Sequence, residues 1–108
     1  MDYETLEQAV AERAGVPRDR AAALLRATLE TLSQRITGGE AEDLAAQLPK
    51  PAQDWLTGSP EPAEAFDLTE FIRRVAERAQ VPPAEAGEAT RAVLVTLREA
   101  VTAVSSTT

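Results

Sequence analysis

The sequence contains no cysteine and no histidine, and only four of its 108 residues are aromatic. Without cysteine the chain has no disulfide, no thiol nucleophile and no cysteine-ligated zinc or iron–sulfur site. Without histidine it lacks the usual metal ligand and the side chain that titrates near neutral pH, which excludes Ser-His-Asp and Cys-His catalysis. Any catalysis would therefore depend on carboxylates, arginines, Lys50 or Tyr3.

Basic residues are also scarce, since eleven of them face eighteen acidic residues and the net charge is −7. This balance argues against a nucleic-acid backbone as the main partner, because affinity for phosphates comes largely from basic surface. No run of about twenty apolar residues is present, and Met1 to Leu6 carries two acids before its first leucine. We therefore expect no membrane span, no signal peptide and a cytoplasmic location.

The apolar residues that are present favour helices. The chain has 21 alanines and 11 leucines, against eight valines and two isoleucines. Alanine and leucine are strong helix formers, whereas strands favour β-branched and aromatic residues. The composition predicts an all-α fold, and the length is typical of a single domain.

An internal repeat organises the sequence. With a shift of 65 residues, Val10–Pro17 aligns with Val75–Pro82, and 14 of 28 positions are identical between residues 10–37 and 75–102. Such self-similarity predicts two related helical hairpins packed as a bundle. The predicted units are repeat 1 at about 2–48, a linker at about 49–65 and repeat 2 at about 66–104, within one domain of residues 1–108.

Each repeat begins with a helix-start pattern. Asp2 and Asp67 are predicted N-caps, and Glu70 is predicted to accept a return hydrogen bond from the Asp67 N–H. Phe66 and Phe71 occupy the positions of a hydrophobic staple. Both first helices are expected to end before a Val-Pro pair.

The second helix of each repeat is predicted to be longer, at roughly Arg18 to Ile36 and Pro83 to Val104. Each is expected to carry one apolar stripe: Leu25, Leu29, Leu32 and Ile36 in the first, and Thr90, Val93 or Leu94, Leu97, Val101 and Val104 in the second. Gly38-Gly39 is expected to close the first of them, because glycine readily adopts the left-handed conformation of a helix C-terminus. The sequence further predicts a short helix at Glu40 to Leu48, one turn at Gln53 to Leu56, and a proline-rich connection at residues 58–62. Charge is uneven: residues 38–70 carry −7, and the flanking regions carry −1 and +1.

The strings Leu6 to Pro17, Ala27 to Leu32 and Gly38 to Pro49 resemble a bacterial family known as domain of unknown function 2267. Residues 71–82 and 91–101 resemble the second copy in that family. The resemblance implies a helical fold of two related halves and no activity. It also implies a second Gly-Glu…Gln-Leu-Pro segment after Val101, which residues 102–108 do not contain, so part of the second apolar stripe is expected to be uncovered.

The hairpin from Leu6 to Glu40 is similar to the N-terminal hairpin of the histone-like HU proteins. This second resemblance implies that the two repeats pack on each other as an internal pseudo-dimer. In that family basic β-arms grip DNA, and no arm-like sequence follows Glu40. DNA binding is therefore not implied.

Three groups of charged residues could form sites. Glu40, Glu42 and Asp43 offer oxygen ligands for a hard cation, but they lack the spacing of a calcium loop and suit a helix N-terminus, so we expect no metal or cofactor. The recurring Glu12-Arg13 and Glu77-Arg78 pairs could form a polar surface for a partner, although solvated helix charges are the simpler interpretation. The third group, Arg73, Arg74 and Arg78, could contact an anion, but no aromatic residue is interleaved for base stacking.

An enzyme would need two converging carboxylates, such as Glu30 and Glu99, and these positions are not equivalent in the repeat. We therefore expect a non-catalytic helical interaction or scaffolding module that binds a protein or a second copy of itself. A nucleic-acid-associated role is one alternative and a carboxylate-based enzyme is another, and no small-molecule substrate is identified. The candidate interface residues are Trp55, Val93, Leu97, Val101 and Val104.

Overall fold

The computed structural model describes residues 2–57 and 63–106, with side chains described up to residue 101. This part of the chain forms six helices and no strands, which confirms the all-α prediction. The proline-rich connection predicted at residues 58–62 lies outside the described residues. The helices are α1 (Tyr3–Ala14), α2 (Arg18–Arg35), α3 (Gly38–Ala45), α4 (Ala52–Leu56), α5 (Leu68–Ala79) and α6 (Pro83–Ser106).

The N-caps of α1 and α5 are confirmed. The Asp2 carboxylate accepts a hydrogen bond from the Thr5 N–H at 2.8 Å, and Asp67 accepts one from the Glu70 N–H at 2.9 Å. Two rings flank the second cap, since the centroids of Phe66 and Phe71 lie 6.2 Å apart. The predicted return bond to Glu70 is wrong, because that carboxylate instead accepts hydrogen bonds from two arginines of its own helix.

The two repeats have the same local geometry where their first helices end. Gly15 follows α1 with φ 68°, and Gln80 follows α5 with φ 57°. Both residues adopt the left-handed conformation that closes a helix. The starts and ends of α1 and α5, and the starts of α2 and α6, are therefore 65 residues apart.

The region after α2 differs from the prediction. Gly38 and Gly39 form the first turn of α3 and do not close α2, which ends at Arg35. The reason is a capping box: the Thr37 hydroxyl accepts a hydrogen bond from the Glu40 N–H at 3.2 Å, and the Glu40 carboxylate accepts one from the Thr37 N–H at 3.0 Å. The start of this helix is thus set by the threonine before the glycines.

The four long helices pack across the repeats as well as within them. Helix α1 contacts α2 and also α6, α5 contacts α6 and also α2, and α2 contacts α6. Short helix α4 packs on α2, in the segment predicted to be linker. None of the described helices is long and apolar enough to cross a lipid bilayer.

Helices α3 and α4, with their connections, make up the cover segment, Thr37–Leu56. It extends the core over one side of α2, where Leu29 is 0 % exposed. Trp55 adds its ring at the edge, where it meets the Tyr3 ring edge-on at 5.8 Å between centroids. The inner residues of the cover segment in this core are Ala41, Ala45, Leu48, Ala52 and Leu56.

Candidate functional site

Two arginines that are equivalent in the repeat join the hairpins reciprocally. Arg13 of α1 donates a hydrogen bond to the hydroxyl of Thr96 on α6, at 2.8 Å. Arg78 of α5 donates one to the hydroxyl of Thr31 on α2, at 2.6 Å. Each pair maps onto the other by the 65-residue shift, so each hairpin supplies the donor for a buried acceptor on the other.

The threonine hydroxyls are oriented to accept these bonds. Both threonines are 0 % exposed. Thr31 donates its own proton to the Ala27 carbonyl at 2.8 Å, and Thr96 donates its proton to the Ala92 carbonyl at 2.7 Å. The oxygen lone pairs are then left for the guanidinium groups.

Another contact joins equivalent positions. The Nε of Arg20 lies 3.1 Å from a carboxylate oxygen of Glu85, and these two residues are themselves 65 positions apart. A contact between a position and its own equivalent is expected close to a two-fold axis.

We name the two arginine–threonine contacts, Arg13–Thr96 and Arg78–Thr31, the cross-ties.

The cross-ties change the interpretation of the recurring Glu-Arg pairs. We expected solvated helix charges, and for the arginines that expectation is wrong, because Arg13 and Arg78 reach buried hydroxyls of the other repeat. Glu12 accepts a hydrogen bond from Gln8 and Glu77 accepts one from Arg73, both within their own helices. The recurrence of these arginines therefore has a packing function.

The carboxylates considered for catalysis are bound to different arginines. Glu99 accepts hydrogen bonds from Arg13 on both oxygens at 2.6 Å. Glu30 accepts one from Arg26 of its own helix at 3.2 Å. Each carboxylate therefore has an arginine partner of its own, and the two partners belong to different helices.

The arginine group on α5 is paired with acids. Arg73 donates to Glu70 and Glu77, and Arg74 donates to Glu70 and Glu64. The hydrogen bond from Arg73, which has the largest effect, and the one from Arg74 lower the pKa of Glu70 to about 2. The positive charges of Arg73 and Arg74, which we considered as a site for an anion, are thus largely compensated by acidic side chains of the same molecule.

The low pKa of Glu70 leads to a testable pH dependence. Because the folded-state pKa lies below the ordinary value of 4.5, the stabilisation is present above about pH 4.5 and is lost as pH falls through about 2. We expect the difference in urea midpoint between the native chain and Glu70→Gln to disappear on acidification to pH 2. Carboxyl NMR should show Glu70 titrating near pH 2 at low ionic strength, and 1 M salt should raise that pKa. An ordinary pKa at low ionic strength would contradict the pairing.

The acidic group at the start of α3 is used for capping. Glu40 forms the capping box with Thr37, and hydrogen bonds from the Thr37 backbone and side chain lower its pKa. Glu42 and Asp43 are exposed on the same short helix. Among the described residues no cluster of three or more acids could hold a metal ion.

Two of the five residues predicted for the interface are buried in the core. Val93 is 0 % exposed and Leu97 is 4 % exposed, so both belong to the core and the prediction is wrong for them. Val101 is half-buried, and the side chain of Val104 lies outside the described ones. Trp55 is half-buried against Tyr3, with the Arg26 guanidinium 5.8 Å from its ring centroid.

A different set of apolar side chains is exposed. Among the described residues, the exposed large hydrophobic side chains are Leu68, Leu94 and Val95, at 63 %, 38 % and 41 %. All three belong to repeat 2. The repeat equivalent of Leu94 is Leu29, which is fully buried beside the cover segment.

Two other exposed positions of repeat 2 are also equivalent to residues of repeat 1 that contact the cover segment. Leu68 is equivalent to Tyr3, whose ring contacts Trp55 of the cover segment. Arg91, which is exposed, is equivalent to Arg26, whose guanidinium lies over Trp55. We name Leu68, Arg91, Leu94 and Val95 the uncovered face. The residues of repeat 1 that are equivalent to Leu68 and Arg91 contact Trp55 of the cover segment, and the equivalent of Leu94 belongs to the same core cluster as that segment.

A cavity of about 290 Å³ adjoins the uncovered face. It lies between α1 and α6, and Arg91 and Val95 contribute to its wall. The remaining lining residues are Arg13, Glu88 and Ala92. The cavity wall therefore contains one of the exposed aliphatic side chains, Val95, next to Arg91, and arginine is enriched in protein-binding surfaces.

Comparison with known proteins gives a family and no function. No curated protein and no solved structure matches the chain. The family model described as Uncharacterized conserved protein (DUF2267) matches residues 3–106. Since this match includes nearly all of the 108 residues, the chain belongs to the DUF2267 family.

Proposed function

We propose that this chain is a non-catalytic protein-interaction module whose binding surface is the uncovered face. The observation that carries the proposal is the contrast between equivalent leucines, since Leu29 is 0 % exposed and Leu94 is 38 % exposed. The same helical position is thus core in one repeat and surface in the other. Large apolar side chains exposed on one repeat, with Val95 at the wall of a cavity, favour association with another protein.

The alternatives have less support. A nucleic-acid-associated role would need a continuous basic face, but Arg73 and Arg74 are engaged by acidic side chains. A carboxylate-based enzyme would need a raised pKa on a sequestered acid, but among the described acids those with shifted pKa values, Asp2, Glu40 and Glu70, are all shifted downward. An interaction role needs neither feature.

Site-specific photo-crosslinking tests the proposal. A photoreactive amino acid placed at Val95 should crosslink to protein in cells that naturally express the chain. The matched control places the same amino acid at Ala23, an exposed residue of α2 in the other repeat. We expect a discrete crosslinked product at position 95 that is absent at position 23 and is lost when Leu94→Glu is added.

Two results would count against the proposal. One is the same pattern of crosslinks at both positions, which would mean that contact at Val95 is not specific. The other is a product that persists with Leu94→Glu, which would mean that the contact does not depend on the exposed leucine. Circular dichroism of the purified variants controls for loss of fold.

A further inference from the structure

We infer that the two hairpins pair selectively with the unlike repeat, because the position at the two-fold axis carries a base in repeat 1 and an acid in repeat 2. These residues are Arg20 and Glu85, which are equivalent by the 65-residue shift. A hairpin of the repeat 1 type therefore fits a partner hairpin that has an acid at this position. The inference goes beyond the proposed function and does not depend on it.

The two side chains meet where α2 packs against α6. The Nε atom of Arg20 lies 3.1 Å from Oε2 of Glu85, and each residue lies in the first turn of its helix. Because the two positions are equivalent, any pair of hairpins in this arrangement places the same two positions side by side. The charges that meet there depend only on which repeats form the pair.

The carboxylate of Glu85 depends on its arginine neighbour. Its Oε2 atom is buried and accepts no hydrogen bond from the described residues. The nearby positive charge of Arg20 therefore compensates this oxygen, and a second carboxylate in its place would leave a buried negative charge without compensation. The Arg20 side chain is 52 % exposed, so solvent screens part of the interaction.

The cross-ties stabilise the pair but do not select the partner. Each repeat contains both the arginine and the threonine of these contacts. Two repeat 1 hairpins in the same arrangement would form two Arg13–Thr31 contacts, since a threonine hydroxyl accepts the bond in either repeat. Two repeat 2 hairpins would form two Arg78–Thr96 contacts. The cross-ties alone would therefore allow like repeats to pair.

The carboxylate of Glu99 does not change this conclusion. It accepts hydrogen bonds from Arg13, and its equivalent in repeat 1 is Gln34. An unlike pair contains one Glu99, whereas a pair of repeat 2 hairpins would contain two and a pair of repeat 1 hairpins none. The total is thus the same when two unlike pairs rearrange into two like pairs. The axis position differs, because both like pairs bring equal charges together there.

The selection determines how two copies of this chain would exchange hairpins. Exchange between repeat 1 of one copy and repeat 2 of the other keeps an Arg20–Glu85 contact in each pair. Pairing of like repeats would instead bring two Arg20 side chains or two Glu85 side chains together, which costs free energy. Association of copies through like repeats is therefore disfavoured.

Charge reversal in the full-length chain reproduces the axis of each like pair. Glu85→Arg gives the two arginines of a repeat 1 pair, and Arg20→Glu gives the two glutamates of a repeat 2 pair. We expect each variant to lower the melting temperature by at least about 4 °C at low salt, measured by circular dichroism. The reversed pair, Arg20→Glu with Glu85→Arg, should melt above both single variants, because it again places one base beside one acid.

Arg98→Glu is the matched control for Arg20→Glu. Arg98 is exposed on α6, and its reversal changes the net charge by the same amount. We expect it to shift the melting temperature by less than about 2 °C. In 1 M salt the losses at Arg20 and Glu85 should become smaller, because salt screens the partly exposed charges.

Two results would overturn the inference. Single reversals at the axis no larger in effect than Arg98→Glu would show that the axis charges do not influence pairing. A reversed pair that melts below both single variants would show that each loss arises separately and not from the contact between the two residues.

A neutral double-mutant cycle covers the case in which Glu85→Arg does not fold. Glu85→Gln removes the charge without adding a repulsion. Arg20→Gln should then lower the melting temperature less in the Glu85→Gln chain than in the native chain, because its partner charge is already absent. An equal loss in both chains would contradict the selective contact.

Discussion

Replacement of Leu29 by alanine is expected to lower the free energy of unfolding by about 2–5 kcal/mol, whereas the same replacement at Leu94 should lower it by less than about 1 kcal/mol. Both residues are leucines at equivalent positions of the repeat, so helix propensity changes equally in the two variants. They differ in burial, because Leu29 is 0 % exposed and Leu94 is 38 % exposed. The difference between the two effects measures what the cover segment contributes at this position.

Urea unfolding followed by circular dichroism measures both values. For a chain of this size, a loss of 1 kcal/mol corresponds to roughly 4–8 °C in melting temperature, so the two variants are readily distinguished by thermal unfolding as well. Equal losses in the two variants would show that Leu94 is buried to the same extent as Leu29 in solution. That result would remove the basis of the proposed function.

Loss of a cross-tie is expected to be the next largest effect. Arg78→Met should lower the free energy of unfolding by about 1–3 kcal/mol, because it removes a charged hydrogen bond to the buried hydroxyl of Thr31 while keeping an apolar stem of similar length. Arg13→Met should cost a similar amount, because Arg13 bonds to the Thr96 hydroxyl. The contact of Arg13 with Glu99 is partly exposed, so salt should reduce the effect of this variant more.

Arg91→Met is the matched control for the cross-ties. Arg91 is an exposed arginine on α6, and its replacement should change stability by no more than about 0.5 kcal/mol. Thermal unfolding at 50 mM and 500 mM salt measures all three variants. If Arg78→Met proved as mild as Arg91→Met, the Arg78–Thr31 contact would have no role in joining the hairpins.

Much of the secondary structure could be predicted from the sequence, because its signals are local. Asp2 and Asp67 cap α1 and α5 as expected, since an N-cap depends on the three or four residues that follow it. The predicted start of α6 is also correct, since α6 starts 65 residues after α2, as the repeat indicates. The error at Gly38 and Gly39 arose because a glycine pair is typical of a helix end. Here the helix-start signal of Thr37 and Glu40 is stronger, and the glycines lie in the first turn of α3.

The candidate site was predicted less well, for a reason of helical geometry. Leu94 follows Val93 directly, and one residue corresponds to a rotation of about 100°, so an apolar run can face the core through either neighbour. The sequence left Val93 and Leu94 as alternatives for the stripe, and the structure buries Val93. Comparison of Leu94 with Leu29 could not help, because the burial of Leu29 depends on tertiary contacts with the cover segment.

The cross-ties could not be predicted from local sequence signals either. Arg13 and Thr96 are 83 residues apart, and Arg78 and Thr31 are 47 residues apart. The recurrence of the arginines and threonines was visible in the repeat, but it did not show that each arginine reaches the other copy. Only the packing of α1 against α6 and of α5 against α2 shows this.

The reciprocal cross-ties also bear on how the pairing of the two hairpins responds to dilution. In a dimer of separate hairpins, the same contacts would form between molecules, and the paired fraction would fall as the protein is diluted. Here the hairpins belong to one polypeptide, so each meets the other at an effective concentration that is fixed by the connecting chain and not by the protein concentration. The pairing of the hairpins should therefore be independent of protein abundance in the cell.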